Sequence, residues 1–347
     1  MTLKSFALAT TAAAIIATPA LARDDVQVMG SSTVLPYAQI VVENFQREYP
    51  NYKVTLQGGG SSAGLKAFCE GLGEQTIDVA NASRGIKDSE VTACGGNGVE
   101  SITEVRIGYD GIVFASDVNG PAFALEPKDV YLALAAEPVV DGKVVKNPYA
   151  KLSDVNSAFP AWDIKFFIPG EKHGTREVLE TKVLEEGCKA VGAFDAYMND
   201  LGLDKKAAEK KCYEVRKDGA SVDIDGDYTE TLQRLDADKE SIGVFGLAFY
   251  EANTDKLRVA TMSGVKPTAA AVASGTYPVS RPLFFYVKNA HLPVIPGMAE
   301  YVTFFVSDDM IGPGGPLEAY GLVPAPESER DEVRAAVEAA VMAARTN

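Results

Sequence analysis

The sequence predicts an α/β protein built in two lobes, on three observations. A strand, a Gly/Ser-rich turn and a helix recur within about 60 residues near the start of the chain, the pattern of a lobe with a largely parallel sheet. Two long apolar strands, around 105–115 and 279–288, bracket a central block. That arrangement suits a discontinuous first lobe joined by two crossings to a continuous second one. The length, 347 residues, matches two domains at about 100–200 residues each.

Taken in order, Val26-Gln27-Val28-Met29 reads as the first strand and Gly30-Ser31-Ser32-Thr33 as its turn. Leu35, Ile40, Val41, Val42 and Phe45 make an apolar helical stripe that Pro50 ends. Tyr52–Leu56 is a second strand, running into Gly58-Gly59-Gly60-Ser61-Ser62-Ala63-Gly64 and a helix with Leu65, Phe68 and Cys69 on one side. Ile77–Ala80 starts a third strand, which ends in Asn81-Ala82-Ser83-Arg84. Further on, Lys165–Ile168 and Ser241–Gly246 are short strands, 183–214 is helical and charged, and Ser274–Pro278 is a turn before the strand Leu283–Val287. The tail from Met298 alternates helical stripes with the loop 312–316.

The first 22 residues belong to a different regime. Lys4 supplies a positive start, Phe6 to Ala20 are mostly apolar and small, and Ala20-Leu21-Ala22 fits an A-x-A cleavage site, so export and cleavage after Ala22 are expected. The apolar run is shorter than the roughly 20 residues that span a bilayer. Removing 22 of 347 residues leaves 325, and because Lys4 is the only charge lost the net charge moves from −15 to about −16. So acidic a chain argues against nucleic acid as partner, since phosphate-backbone binding needs clustered cations. It leaves room for a small anion held by backbone N–H groups and one or two arginines.

Export makes the four cysteines readable, because an even count in an oxidising compartment points to disulfides, with three possible connectivities. They form two local pairs, 25 and 24 residues apart, so the expected bridges are Cys69–Cys94 and Cys188–Cys212, one in each lobe. Loops of that size are worth roughly 3–4 kcal/mol each in the chain-entropy model.

Four hydroxyl-bearing turns follow strands: 30–33, 60–62, 81–84 and His173-Gly174-Thr175-Arg176. Ser and Thr before helices commonly serve as N-caps. Four such turns, two of them carrying Arg84 and Arg176, also suit a tetrahedral oxyanion, because orphan N–H groups, hydroxyls and guanidiniums all donate to it. A competing enzyme reading uses Gly60-Ser61-Ser62-Ala63-Gly64 as a G-x-S-x-G elbow, with Ser62 as nucleophile and His291 as base; Asn289-Ala290-His291-Leu292-Pro293 reads instead as a surface turn. Only two histidines occur and no paired CxxC or HExxH, so no zinc site is expected. Asp223-Ile224-Asp225-Gly226-Asp227 resembles half a calcium loop, but Tyr228 stands where such a loop needs Gly, and a solvated turn leading into a helix is the better reading.

Gly30–Pro36, Gly58–Gly64, Asn81–Arg84 and His173–Glu177 resemble the signatures of the phosphate-binding proteins that feed phosphate ABC transporters, and Gly275–Leu283 and Gly321–Pro324 are similar to the later blocks of that family. The resemblance covers almost the whole mature chain in order. It implies a type II-like periplasmic binding protein fold: two mixed sheets flanked by helices, a ligand cleft and a two-strand hinge. The lobes would be 23–112 with 285–347, and 113–284. The phosphate ligands would be Ser32 and Thr33, Ser62, Ser83 and Arg84, and Gly174, Thr175 and Arg176 from the opposite lobe. His173 replaces the family's usual Ser and either donates to the anion or points away. The family's acidic proton acceptor is missing from the 82–84 turn, which leaves Asp110 as candidate acceptor, or as a partner of Arg84 or Arg176.

The expected function is therefore capture of inorganic phosphate by a periplasmic monomer, with no catalytic step and no cofactor, and delivery to a membrane permease. A binder of another oxyanion, sulfate or molybdate, is the alternative, followed by the Ser62 hydrolase.

Overall fold

The computed structural model describes residues 23–171, 174–225 and 228–346. The expectations for the export segment 1–22 and for His173 lie outside them.

Strand β1 (Asp25–Gly30) alternates half-buried and buried positions, with Val26 and Val28 inward, as its apolar–polar alternation dictates. It pairs in parallel with β2 (Lys53–Gly58) on one side and β3 (Val79–Ala82) on the other. The helix Leu35–Glu48 carries Pro36 in its first turn and buries Tyr37, Ala38, Val41, Val42 and Phe45 against these strands. The long strand β4 (Ile102–Asp117) follows. In the central block β5 (Phe166–Pro169) pairs in parallel with β6 (Ser221–Ile224) and with β7 (Ile242–Gly246). The short strand β8 (Leu257–Val259) and β7 both lie antiparallel to the far half of β4. Strand β9 (Ser280–Lys288) returns antiparallel between β3 and the near half of β4.

The two expected sheets are thus one continuous path, β2-β1-β3-β9-β4-β7-β5-β6, because β4 belongs to both halves. The core changes along the same strands. Val105 and Ile107 pack with Val28, Phe45 and Phe305, whereas Ile112 and Phe114 pack with Phe166, Val244 and Leu184. On β9, Val279 just before it belongs to the second core and Leu283 to the first. Both disulfides form as expected, Cys69–Cys94 beside Leu65 and Phe68, and Cys188–Cys212 beside Tyr131 and Tyr197.

Some local expectations are corrected. The third strand begins at Val79, two residues later than expected, and includes the polar Asn81. The helical stretch 183–214 is broken into a π-helical turn at Glu180–Leu184 and helices at Glu185–Ala190, Ala193–Asn199 and Lys205–Tyr213. Asp223 is not in a turn: it lies in β6, facing Arg176 and Lys217.

Candidate anion-binding site

Three parallel strands end side by side, and their turns are sewn together by the backbone. Gly30 stands in register with both Gly58 and Asn81. The Ser31 N–H donates to the Asn81 carbonyl (2.8 Å) and the Gly60 N–H to the Gly30 carbonyl (2.9 Å). Gly30 has φ +149°, and a Cβ there would overlap the Asn81 carbonyl, so this junction closes only with glycine.

Two serines hold the turns and two others face outward. The Ser31 hydroxyl accepts from the N–H groups of Thr33 (3.2 Å) and Val34 (3.4 Å), which is capping. The buried Ser61 hydroxyl meets Ser83 Oγ (3.1 Å) and accepts from the Ser83 N–H (3.0 Å). Ser32 and Ser62 are exposed. Arg84 donates through Nη2 to Ser62 Oγ (3.0 Å) and is held by both carboxylate oxygens of Glu90 at 2.8 and 2.9 Å.

The floor beneath these turns is formed where β4 and β9 cross between the halves. Asp110 and Arg281 are register partners there, 2% and 6% exposed. Arg281 Nη2 donates to Thr33 Oγ1 (2.6 Å) and to Glu177 Oε2 (3.3 Å), and Thr33 Oγ1 donates to the same Glu177 oxygen (3.2 Å). Asp110 Oδ2, Arg281 Nε and Asn81 Oδ1 are buried without a hydrogen-bond partner, an arrangement costly enough to need a reason. Burial pushes the Asp110 carboxyl above its ordinary value; the Arg281 charge opposes this and the Glu177 charge adds to it.

The second half contributes the helix Gly174–Leu179. Tyr228 donates to Thr175 Oγ1 (3.3 Å). Burial raises the phenols of Tyr37 and Tyr228, and the Asp110 charge contributes to both. Arg176 is tied into its own half through Nε and Nη1: it donates to the Pro169 carbonyl (3.0 Å), Asp223 Oδ1 (2.5 Å) and Glu180 Oε1 (2.9 Å).

Thr33, Ser83, Arg84, Asp110 and Thr175 are therefore drawn into one region, with Ser32 and Ser62 on its exposed rim. The Glu90 hydrogen bond raises the Arg84 guanidinium, against its partial burial, and the Glu177 charge adds a little. Arg281 and Glu177 join the region in addition to the residues expected from the sequence. A charged residue inside an otherwise buried strand was the available signal for Arg281.

The expected Ser62–His291 pair does not form. Ser62 Oγ accepts from Arg84, whereas His291 is 2% exposed and faces Asp78 through Nδ1 (2.6 Å). Its Nε2 accepts from the Gly73 N–H (3.0 Å), so it is no base for Ser62 and no surface turn either.

The PBP superfamily domain matches residues 16–309. The chain is 30% identical over 312 residues to the phosphate-binding protein PstS of Staphylococcus haemolyticus, covering 88% of this chain and 83% of that one. It belongs to the PBP superfamily, among the PstS phosphate-binding proteins. SphX of Synechococcus elongatus is 29% identical over 266 residues, with coverage of 75% of this chain and 67% of that one. A possible phosphate binding protein from Planctomyces limnophilus superposes with a TM-score of 0.68 at 26% identity, covering 91% of this chain and 98% of the other. A substrate-binding protein of a phosphate ABC transporter from Clostridium perfringens shares the fold, with a TM-score of 0.50 at 20% identity and coverage of 87% and 100%. The two-lobed binding-protein fold expected from the sequence is the family's fold, and the family is one of transport receptors, not enzymes.

Proposed function

We propose that this protein captures inorganic phosphate between its two lobes and delivers it to the permease of an ABC transporter. The observation that carries the reading is the buried Arg281 beside Asp110, with the Thr33 hydroxyl on the guanidinium. A guanidinium offers paired donors to phosphate oxygens, and a carboxylate accepts the proton that hydrogen phosphate carries and sulfate lacks. The unpartnered Asp110 Oδ2 and Arg281 Nε are then satisfied by the anion.

In this reading Ser32, Thr33, Ser62, Ser83 and Arg84 supply donors from one lobe and Gly174 and Thr175 from the other. Arg281 takes the clamping role first expected of Arg176, which instead fastens its helix to β5 and β6. The lobes are 23–112 with 285–347, and 113–284; the change of core between Ile107 and Ile112 supports this division. Closure over the anion favours the shape a permease recognises. The protein works outside the cytoplasm, as a periplasmic monomer released by cleavage after Ala22, without nucleic acid. Among the described residues no helix is long and apolar enough to cross a membrane.

Calorimetry of phosphate-stripped protein with phosphate, arsenate, sulfate and molybdate tests the reading. Phosphate and arsenate are expected to bind and sulfate to fail; sulfate or molybdate binding as tightly as phosphate would overturn it.

A further inference from the structure

Glu177 sits where an anion belongs. Its Oε2 receives the Thr33 hydroxyl at 3.2 Å and Arg281 Nη2 at 3.3 Å, two donors from the opposite half of the molecule. The neighbouring Arg176, tied to Glu180, Asp223 and the Pro169 carbonyl, anchors the helical turn that carries it. Successive helix positions point about 100° apart, so anchoring Arg176 inward turns Glu177 toward the cleft. The Glu177 side chain is 47% exposed while Arg281 is 7% exposed, so the carboxylate reaches from the edge of the cleft onto a buried guanidinium.

We propose that Glu177 is an internal competitor for the phosphate site: its carboxylate holds the two halves together through Thr33 and Arg281, and the incoming anion displaces it. The inference rests on the phosphate reading above. Thr33 has one hydroxyl proton, which serves either the carboxylate or a phosphate oxygen. The Arg281 Nη2 proton given to Glu177 is likewise claimed by an anion that binds the guanidinium in paired fashion. Glu177 thereby sets the affinity. A carboxylate that must leave, and whose charge repels the arriving anion, weakens binding relative to a site without it. It also gives the cleft a contact that favours closure before the anion arrives.

The test compares phosphate-stripped wild type, Glu177→Gln and Glu177→Ala by calorimetry with inorganic phosphate and by small-angle X-ray scattering without it. Phosphate binding about tenfold tighter in Glu177→Ala is expected, scaled from the worth of a charged hydrogen bond. Glu177→Gln, which keeps an acceptor and loses the charge, falls between. Unchanged or weaker phosphate affinity in Glu177→Ala overturns the proposal and makes Glu177 a ligand or a bystander. Should wild type give no phosphate heat, the functional reading fails on its own. The scattering comparison then decides the contact: a larger radius of gyration in phosphate-free Glu177→Ala keeps it, and an unchanged radius removes it.

Discussion

Arg281 and Asp110 face each other across two antiparallel strands, guanidinium Nε 3.8 Å from carboxylate Oδ2. The separation is an ion pair without a hydrogen bond, so each partner keeps capacity for a third group. That spare capacity lies in a buried place, where an unpaired charge is costly.

Arg281→Ala is expected to weaken phosphate binding by about 2–4 kcal/mol, the range for truncating one member of a buried charged contact. Arg176→Ala, by contrast, is expected to act on folding. It removes the cation from Glu180 and leaves Asp223 with Lys217 alone, side chains 24% and 30% exposed, and should cost about 1–2 kcal/mol of stability after allowance for their solvation. Calorimetry and denaturant titration of both variants check the contrast. Equal losses of phosphate affinity would place both arginines on the anion.

Asp110→Asn is expected to narrow the gap between phosphate and sulfate. The amide no longer accepts the phosphate proton with a charge and no longer repels the proton-free anion. Phosphate affinity should fall by about 1–3 kcal/mol while sulfate affinity rises. Competition calorimetry at pH 7 reads both, and an unaltered ratio would remove Asp110 from selectivity.

Lys288 is fully buried, its Nζ donating to the Gly71 carbonyl (2.7 Å) and Thr76 Oγ1 (2.9 Å). Burial pulls its pKa from 10.5 down to about 8, against the Asp78 charge. Between those two values the unfolded chain holds a proton that the folded one has released, so this group makes stability rise with pH across that window. Below about 8 its charge is a cost. Lys288→Met should therefore lose the rise. Denaturant titrations of both proteins from pH 7 to 10 test it; parallel profiles would refute the assignment.

Reducing Cys69–Cys94 and Cys188–Cys212 removes constraints on loops of 25 and 24 residues. A loss of roughly 3 kcal/mol per bridge is expected. Neither bridge includes a residue of the cleft, so phosphate binding at a temperature where the reduced protein is folded should persist. Thermal melts with and without reductant, followed by calorimetry of the reduced protein, measure both halves of this expectation.

What could be read in the sequence is what local rules determine. The alternation Val26-Gln27-Val28, the stripe ending at Pro50 and the cysteine spacing each depend on neighbours in the chain. The 30s, 60s and 80s turns were legible because Gly and Ser answer to backbone geometry. Arg281 was not, because its meaning lies in register with Asp110, 171 positions away along the chain. Arg176 reads as a clamp from its place in a ligand turn, and its ion pairs with Asp223 and Glu180 are visible only in the fold. His291 looked exposed because a polar residue beside Asn289 usually is, and only Asp78, from a distant strand edge, makes it a core residue.

Strand β4 runs unbroken through both halves, and Asp110 lies on it where β9 crosses. When the halves rotate, material near the axle travels least. In the proposed reading the charge pair is therefore the stationary part of the machine, and Thr175 and Glu177 swing on the moving jaw. Recognition and movement would then be divided between different residues, leaving evolution free to retune how tightly the jaw shuts without disturbing which anion is read.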